Sequence, residues 1–213
     1  MCGRFTLTQT DAIASTFNVT LDRMPPPRYN IAPTQPLGVI INQSGQQFRL
    51  MSWGLIPSWT RDPNATNRMI NARLETAHEK PSFRTAFRHR RCLIPADGFY
   101  EWKRIDNQKQ PFYFQLQNQS LFAFAGLWDT WQEIETCTIL TTAANADMQP
   151  IHHRMPVIIS PDFYEQWLDP WTQKNQQVHD LLDTMPEPNL EVFPVSTQVN
   201  NAAFDGPECL QPL

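Results

Sequence analysis

The stretch RCLIPADGFYEWKRIDNQKQPFYFQLQNQSLFAFAGLW, residues 91–128, decides the fold. It contains four short runs, RCLIPA (91–96), GFYEWK (98–103), PFYFQL (111–116) and LFAFAG (121–126), each dominated by aliphatic or aromatic side chains and followed by turn-forming residues. Runs of this length and composition, with no helical period, predict successive β-strands. Working outward, LGVII (37–41) and QFRLMSW (47–53) flank NQSG (42–45) and read as a hairpin, while ETCTILTT (135–142), MPVIIS (155–160) and EVFPVS (191–196) add later strands. Helical signals are few. Thr10 is placed to cap a short helix over Asp11 to Phe17, and Phe83 and Phe87 share a face at i,i+4 spacing. Ser160-Pro161-Asp162 opens a helix containing Phe163 and Trp167, and a last helix is expected from Gln177 to Thr184. The expected fold class is therefore α+β: a β-rich single domain over residues 1–213, an irregular antiparallel barrel or sandwich with short peripheral helices.

Composition agrees with one well-packed unit. The chain has 213 residues, of which 41% are hydrophobic, with 13 Phe and 7 Trp, so apolar surface is ample and disorder is excluded. Proline is plentiful at 19 and glycine scarce at 7, which favours stiff connections such as MPPP at 24–27. Apolar runs such as Leu37 to Ile41 fall far short of the roughly 18 residues a bilayer span needs, so no membrane association is expected. The N-terminus MCGRFTLTQT lacks the pattern of a secretory signal, and the expected location is cytoplasmic. Cys2, Cys92, Cys137 and Cys209 are widely spaced and form no C-x-x-C pair, so thiols are expected and no metal is called for.

Charge is segregated along the chain. Residues 1–104 carry 14 Lys/Arg against 7 Asp/Glu, whereas residues 105–213 carry 3 against 14, for a net charge of -4. Such asymmetry suits a polyanion bound on one face. It is equally compatible with charges that mix once the chain folds.

Cys2 is the first position with distinctive chemistry. Removal of the initiator Met1 would leave it as the N-terminus, with an amine and a thiol on adjacent carbons whose ordinary pKa values of about 7.7–8.0 and 8.5 leave part of each deprotonated near neutrality. Such a pair captures aldehydes, forming first an imine and then a thiazolidine ring. The plain alternative is a small residue at a chain end.

MCGRF (1–5), INARLET (70–76), GFYEWK and IHHRMPV (151–157) occur together and in order with RYNIAP (28–33), WGLIPSW (53–59), LTTAAN (140–145), PVSTQVNN (194–201) and DGPE (205–208). In this the chain resembles the SRAP family, the SOS-response-associated peptidases, over nearly its whole length. The resemblance implies an abasic-site processing protein that removes its own Met1, binds single-stranded DNA and crosslinks Cys2 to the ring-opened sugar. Partners implied are single-stranded DNA containing abasic sites and replication-fork junctions; no cofactor is implied, and a monomer located at the nucleoid in a bacterium is expected.

The family's catalytic positions fall on Cys2, Asn71, Glu101 and His152. An asparagine amide can position the terminal amine, a glutamate can shuttle protons during imine formation, and a histidine can protonate the sugar ring oxygen. In a strand, Phe99, Glu101 and Lys103 share one face, so Glu101 can look into a cleft. His153 is expected to point away from His152. For DNA contacts the resemblance and the basic half suggest Arg4, Asn30, Pro33, Trp59, Arg73, Thr141 and Arg154, with Trp59 as a stacking platform and Trp53 as core. The arginines of RTAFRHRR (84–91) are read as solvent-facing. Two departures touch the DNA face: no glycine follows the Ala-Pro pair of RYNIAP, and the stretch from Thr60 to Met69 is long. Two other functions fit Cys2 less fully, an N-terminal-nucleophile cysteine peptidase and a non-catalytic reader of single-stranded or modified DNA.

Overall fold

A computed structural model describes residues 2–62, 68–106, 108–172 and 174–213. Met1, and most of the long stretch between Thr60 and Met69, therefore lie outside the described residues.

The chain begins as a strand, β1 (Arg4–Leu7), and returns as β2 (Arg28–Ile31). The expected hairpin is β3 (Pro36–Asn42) and β4 (Gln46–Trp53), paired from Asn42↔Gln46 to Pro36↔Ser52. A first short helix, α1 (Ile13–Thr16), lies between β1 and β2, and a short β5 (Asn71–Arg73) leads into α2 (Leu74–Ala77) and then α3 (Arg84–His89). The deciding stretch supplies β6 (Arg91–Ala96), β7 (Gly98–Ile105), β8 (Gln108–Leu116) and β9 (Phe122–Trp131). Beyond it come β10 (Ile134–Ala143), β11 (Arg154–Pro156), β12 (Ile158–Ile159), α4 (Tyr164–Leu168), α5 (Asn175–Asp183) and β13 (Leu190–Pro194).

These strands form two sheets over one core. Strands β3, β4, β10, β9 and β6 pair in a ring, closing a five-stranded barrel that leaves no free edge within the ring. The second sheet, in the order β13-β8-β7-β1-β2, lies against it. An aromatic layer joins the two: Phe5 packs edge-on to Trp53 and Phe124, and Phe99 stacks on Phe114 at 5.0 Å while meeting Phe124 edge-on. Such pairs add about 0.5–1.5 kcal/mol each beyond simple burial. The far face of the second sheet carries a smaller core of Tyr100, Tyr113, Val195, Val199 and Cys209, covered by the chain's last twenty or so residues.

The α+β, β-rich class holds, with three local differences. The barrel is not wholly antiparallel: β10 runs parallel to both β4 and β5. MPVIIS breaks into β11 and β12 at Val157, whose N–H bonds Leu140 on one side while its carbonyl accepts from Ala125 on the other, so one segment bridges two strands. Thr10 does not cap the first helix. The buried Asp97 carboxylate instead gathers Thr6 Oγ1, the Thr8 hydroxyl and the Gln9 N–H ahead of it.

Arg91 also departs from the solvent-facing reading. It is buried and donates to the carbonyls of Phe87, Trp167 and Asp169, so it ties the end of α3 to the end of α4. Desolvation lowers its pKa to about 10. The charge halves mix as well: Arg28–Asp205, Arg49–Glu135, Arg90–Asp129 and Arg154–Glu75 each join a residue of the first half to one of the second. No helix among the described residues is long and apolar enough to cross a membrane.

Gly98 tests the packing between β1, β7 and β8. A Cβ there would sit 2.0 Å from the Tyr113 hydroxyl oxygen, which is itself 2.9 Å from Thr6 Oγ1. Gly98→Ala must displace the Tyr113 ring and break that bond, an overpacking cost of about 1–3 kcal/mol. Thermal unfolding should register it as a lower Tm, at roughly 2–4 °C per kcal/mol for a chain of this size.

Candidate active site

Two residues ahead of β1, Cys2 is buried in the main core. β1 is an interior strand, held by β2 on one side and by β7 on the other, where Arg4 faces Tyr100 and Phe5 faces Phe99. The chain start is therefore fixed at the heart of a sheet. Its sulfur donates a long bond to the Arg4 carbonyl, at 3.7 Å.

Asn71 reaches this segment from the barrel. Its strand, β5, lies beside β10 with Asn71 opposite Ile139, and the preceding Ile70 carbonyl accepts from both Trp53 Nε1 and the Ile139 N–H. So anchored, the Asn71 amide donates to the Cys2 carbonyl at 2.8 Å, and its buried Oδ1 has no hydrogen-bond partner among the described residues. That acceptor is available for an amine. Trp53 is wholly buried, in keeping with a core role.

Glu101 arrives from β7 on the face shared with Phe99, buried except for 3% of its surface, with Oε2 accepting from the Trp102 N–H. Burial pushes the Cys2 thiol well above its ordinary pKa, and the nearby Glu101 carboxylate pushes it further in the same direction. Physically, a sulfur without water beside a carboxylate keeps its proton. Cys2, Asn71 and Glu101 are thus brought together from three strands distant in sequence.

His152 is positioned differently. It lies in the turn before β11, and its Nδ1 sits 2.9 Å from the Arg154 N–H and 3.1 Å from the Arg154 carbonyl. Without a proton Nδ1 accepts from that N–H, and with one it donates to the carbonyl, so the ring is held in place either way. His153 does not point away. The two rings stack at 4.4 Å because the segment is a turn rather than an extended strand.

The residues read as DNA contacts divide in two. Trp59 is 64% exposed and Arg73 is exposed, while Pro33 is half-buried beside the start of β3. Asn30 and Thr141, by contrast, are fully buried: Asn30 bonds the carbonyls of Val199, Asn201 and Phe204, and Thr141 Oγ1 donates to the Ala72 carbonyl. Arg4 spends Nη1 and Nη2 on Asn30, Val199 and Asn200, and Arg154 is paired bidentately with Glu75 at 2.6 and 2.9 Å. That pairing lowers the Glu75 pKa.

Sequence reasoning passed over a neighbouring cleft. Arg4, Trp102, Arg104, Lys109 and Asn200 line a cavity of about 560 Å³ on β7 and β8, on the sheet face opposite Glu101. Among the described residues its lining holds three cations and an indole and no carboxylate, a composition that suits a polyanion carrying flat rings. The signal was present in GFYEWKR, since alternation puts Trp102 and Arg104 on the face opposite Glu101.

Comparison with known proteins gives a consistent result. The profile of the SOS response associated peptidase (SRAP) family matches residues 1–202. The chain is 42% identical to the abasic site processing protein YoqW of Bacillus subtilis, over 99% of each chain. It is 30% identical to the abasic site processing protein YedK of Escherichia coli, over 100% of each. A crystal structure of a protein from Bacteroides thetaiotaomicron superposes with a TM-score of 0.86 at 25% identity, over 100% of each chain.

The protonation of this region sets an alkaline limit on stability. Burial raises the pKa of Cys2, Tyr100 and Tyr113 in the folded chain, so the unfolded chain loses these protons first. Above about pH 8.5, where free thiols titrate, the native state binds more protons and stability falls as pH rises. The urea midpoint should therefore be lower at pH 10 than at pH 7.5, with no matching change between pH 6.5 and 7.5.

Proposed function

Because the chain belongs to the SOS response associated peptidase family, we propose that it processes abasic sites in single-stranded DNA by crosslinking Cys2 to the lesion after removal of Met1. The names of its relatives support the substrate. The observation that carries the chemistry is that the Asn71 amide bonds the buried Cys2 carbonyl while the buried Glu101 carboxylate acts on the Cys2 thiol.

Hydrolysis of the Met1–Cys2 peptide bond frees the amine. The amine nitrogen attacks the sugar aldehyde carbon, the carbinolamine loses water, and an imine forms. Cys2 sulfur then adds to the imine carbon, closing a thiazolidine, while its proton passes to the ring nitrogen. From aldehyde to thiazolidine one water leaves, and the earlier hydrolysis consumes one. The protonated thiol favours this order, since the amine is the stronger nucleophile until the imine exists. In this reading Glu101 carries the sulfur proton, Asn71 Oδ1, which has no hydrogen-bond partner among the described residues, orients the amine, and His152 gives a proton to the sugar ring oxygen.

The same burial disfavours a general peptidase acting on other proteins, which would need a thiolate open to a polypeptide. DNA is proposed to run past the Trp102 cleft and the exposed Arg73 and Trp59, with Arg4 offering the N–H groups it does not spend internally. Pro33 would border that path, and Arg154 would meet a phosphate only by giving up Glu75.

Incubation with an abasic single strand should give an adduct that survives denaturation, with an intact protein mass lacking Met1. Cys2→Ala should abolish the adduct while leaving affinity for an undamaged strand intact; an adduct formed equally well by that variant would refute the proposal. The double substitution Arg104→Ala with Lys109→Ala should weaken binding and reduce the salt dependence of log K by about 1.4, at about 0.7 per phosphate contact in a single strand.

A further inference from the structure

The last part of the chain is bound to the two strands that carry the reacting groups, and the bonds converge on two asparagines. Asn30 is wholly buried; its Nδ2 lies 3.1, 3.1 and 2.8 Å from the carbonyls of Val199, Asn201 and Phe204, and its Oδ1 accepts from Arg4 Nη1 at 2.9 Å. Arg4 itself donates to the Val199 and Asn200 carbonyls. Asn200 Oδ1 accepts from Trp102 Nε1 at 2.6 Å, and Trp102 is the residue after Glu101. Asp205 completes the attachment by taking the N–H groups of Tyr29 and Asn30 and the Arg28 side chain.

The route to the reacting atoms is short. The carbonyl that receives the Cys2 S–H belongs to Arg4, whose guanidinium is bolted to residues 199–200 and to Asn30. The same Asn200 holds the strand position next to Glu101. One segment therefore braces β1 and β7 at the level of Cys2 and Glu101, on the sheet face away from the reaction.

We infer that residues 196–206 act as a splint that fixes Cys2 against Glu101, with Asn30 as the positioning residue that locks it. This rests on the crosslinking reading above and adds to it an aligning role for a segment that otherwise only borders the cationic cleft through Asn200. A desolvated asparagine satisfied by four internal partners is an expensive feature if it serves only to fill space, because each of those bonds must be made for its burial to be tolerated. Its geometry serves alignment: a displacement of about 1 Å between nucleophile and proton carrier can cost up to a hundredfold in rate.

The decisive comparison is between Asn30→Ala and the parent, measured on an abasic single strand at saturating protein and, separately, by equilibrium binding to the undamaged strand of the same sequence. The splint predicts a saturated crosslinking rate lower by about tenfold or more, with affinity for undamaged strand unchanged within about threefold, a difference worth less than about 1 kcal/mol. The pH at which the rate is half-maximal should move down, since a sulfur drawn away from the Glu101 carboxylate loses its proton more easily. A purely structural role would lower Tm without moving that pH. A loss of affinity in step with rate would make Asn30 a DNA contact and overturn the inference, as would an unchanged rate. Should Asn30→Ala fail to fold, Asp205→Ala releases the same segment from β2 and decides the matter by the same two measurements. A parent protein that forms no adduct would remove the function proposed above, whereas a parent that crosslinks no faster than the folded variants would remove the splint alone.

Discussion

The insertion of β1 between β2 and β7 is the constraint on which the rest of the molecule depends. A chain terminus usually frays, because nothing offsets the entropy of ordering it. Here residues 4–7 form an interior strand, paired on both edges, with Phe5 set into the aromatic layer between sheet and barrel. Cys2 therefore inherits the rigidity of a sheet centre. The barrel answers from the other side, because Trp53 and Ile139 both bond the Ile70 carbonyl and so fix the strand from which Asn71 reaches the Cys2 carbonyl.

This arrangement also accounts for the fate of the charges. A run of arginines in the first half and of carboxylates in the second could have made two opposed patches. Folding pairs several of them across the halves, and Arg91 is drawn inside to satisfy three carbonyls at helix ends. What remains open on the β7–β8 side is a small number of cations, Arg104 and Lys109 with part of Arg4, gathered about Trp102. Net charge counted along the chain therefore does not map directly onto surface charge, while the alternation within one strand locates the cations gathered about Trp102.

Most of the strands were legible because each is a short aromatic or branched run between turn residues, and a half-buried strand imposes that pattern locally. The parallel pairing of β10 with β4 and β5 was not, since direction depends on where a strand is delivered by its connections rather than on its own composition. Thr10 failed as a cap because a distant carboxylate, Asp97, claimed the neighbouring donors. At the site, the motif resemblance named Cys2, Asn71 and Glu101, and the geometry unites them. It could not tell a residue that faces a ligand from one that supports it. Asn30 and Thr141 lie in the right motifs but are buried, and only their partners, remote in sequence, reveal that.

A rigid start to the chain has a chemical consequence. An aminothiol on a mobile tail would meet any aldehyde in solution, and its reactivity would be set by its own pKa values alone. Set into a sheet, its sulfur is desolvated and kept protonated beside Glu101, so it stays quiet toward electrophiles that cannot reach the same point. In the proposed reaction the sugar carbon must then be delivered to the sulfur, and the cationic aromatic cleft on the opposite face of the same sheet is where the flanking strand is proposed to be held. Selectivity in such a design comes from placement rather than from the intrinsic strength of the nucleophile. On the proposed reading, the bonds that hold residues 199–205 to β1 and β2 then bear on the reaction through alignment.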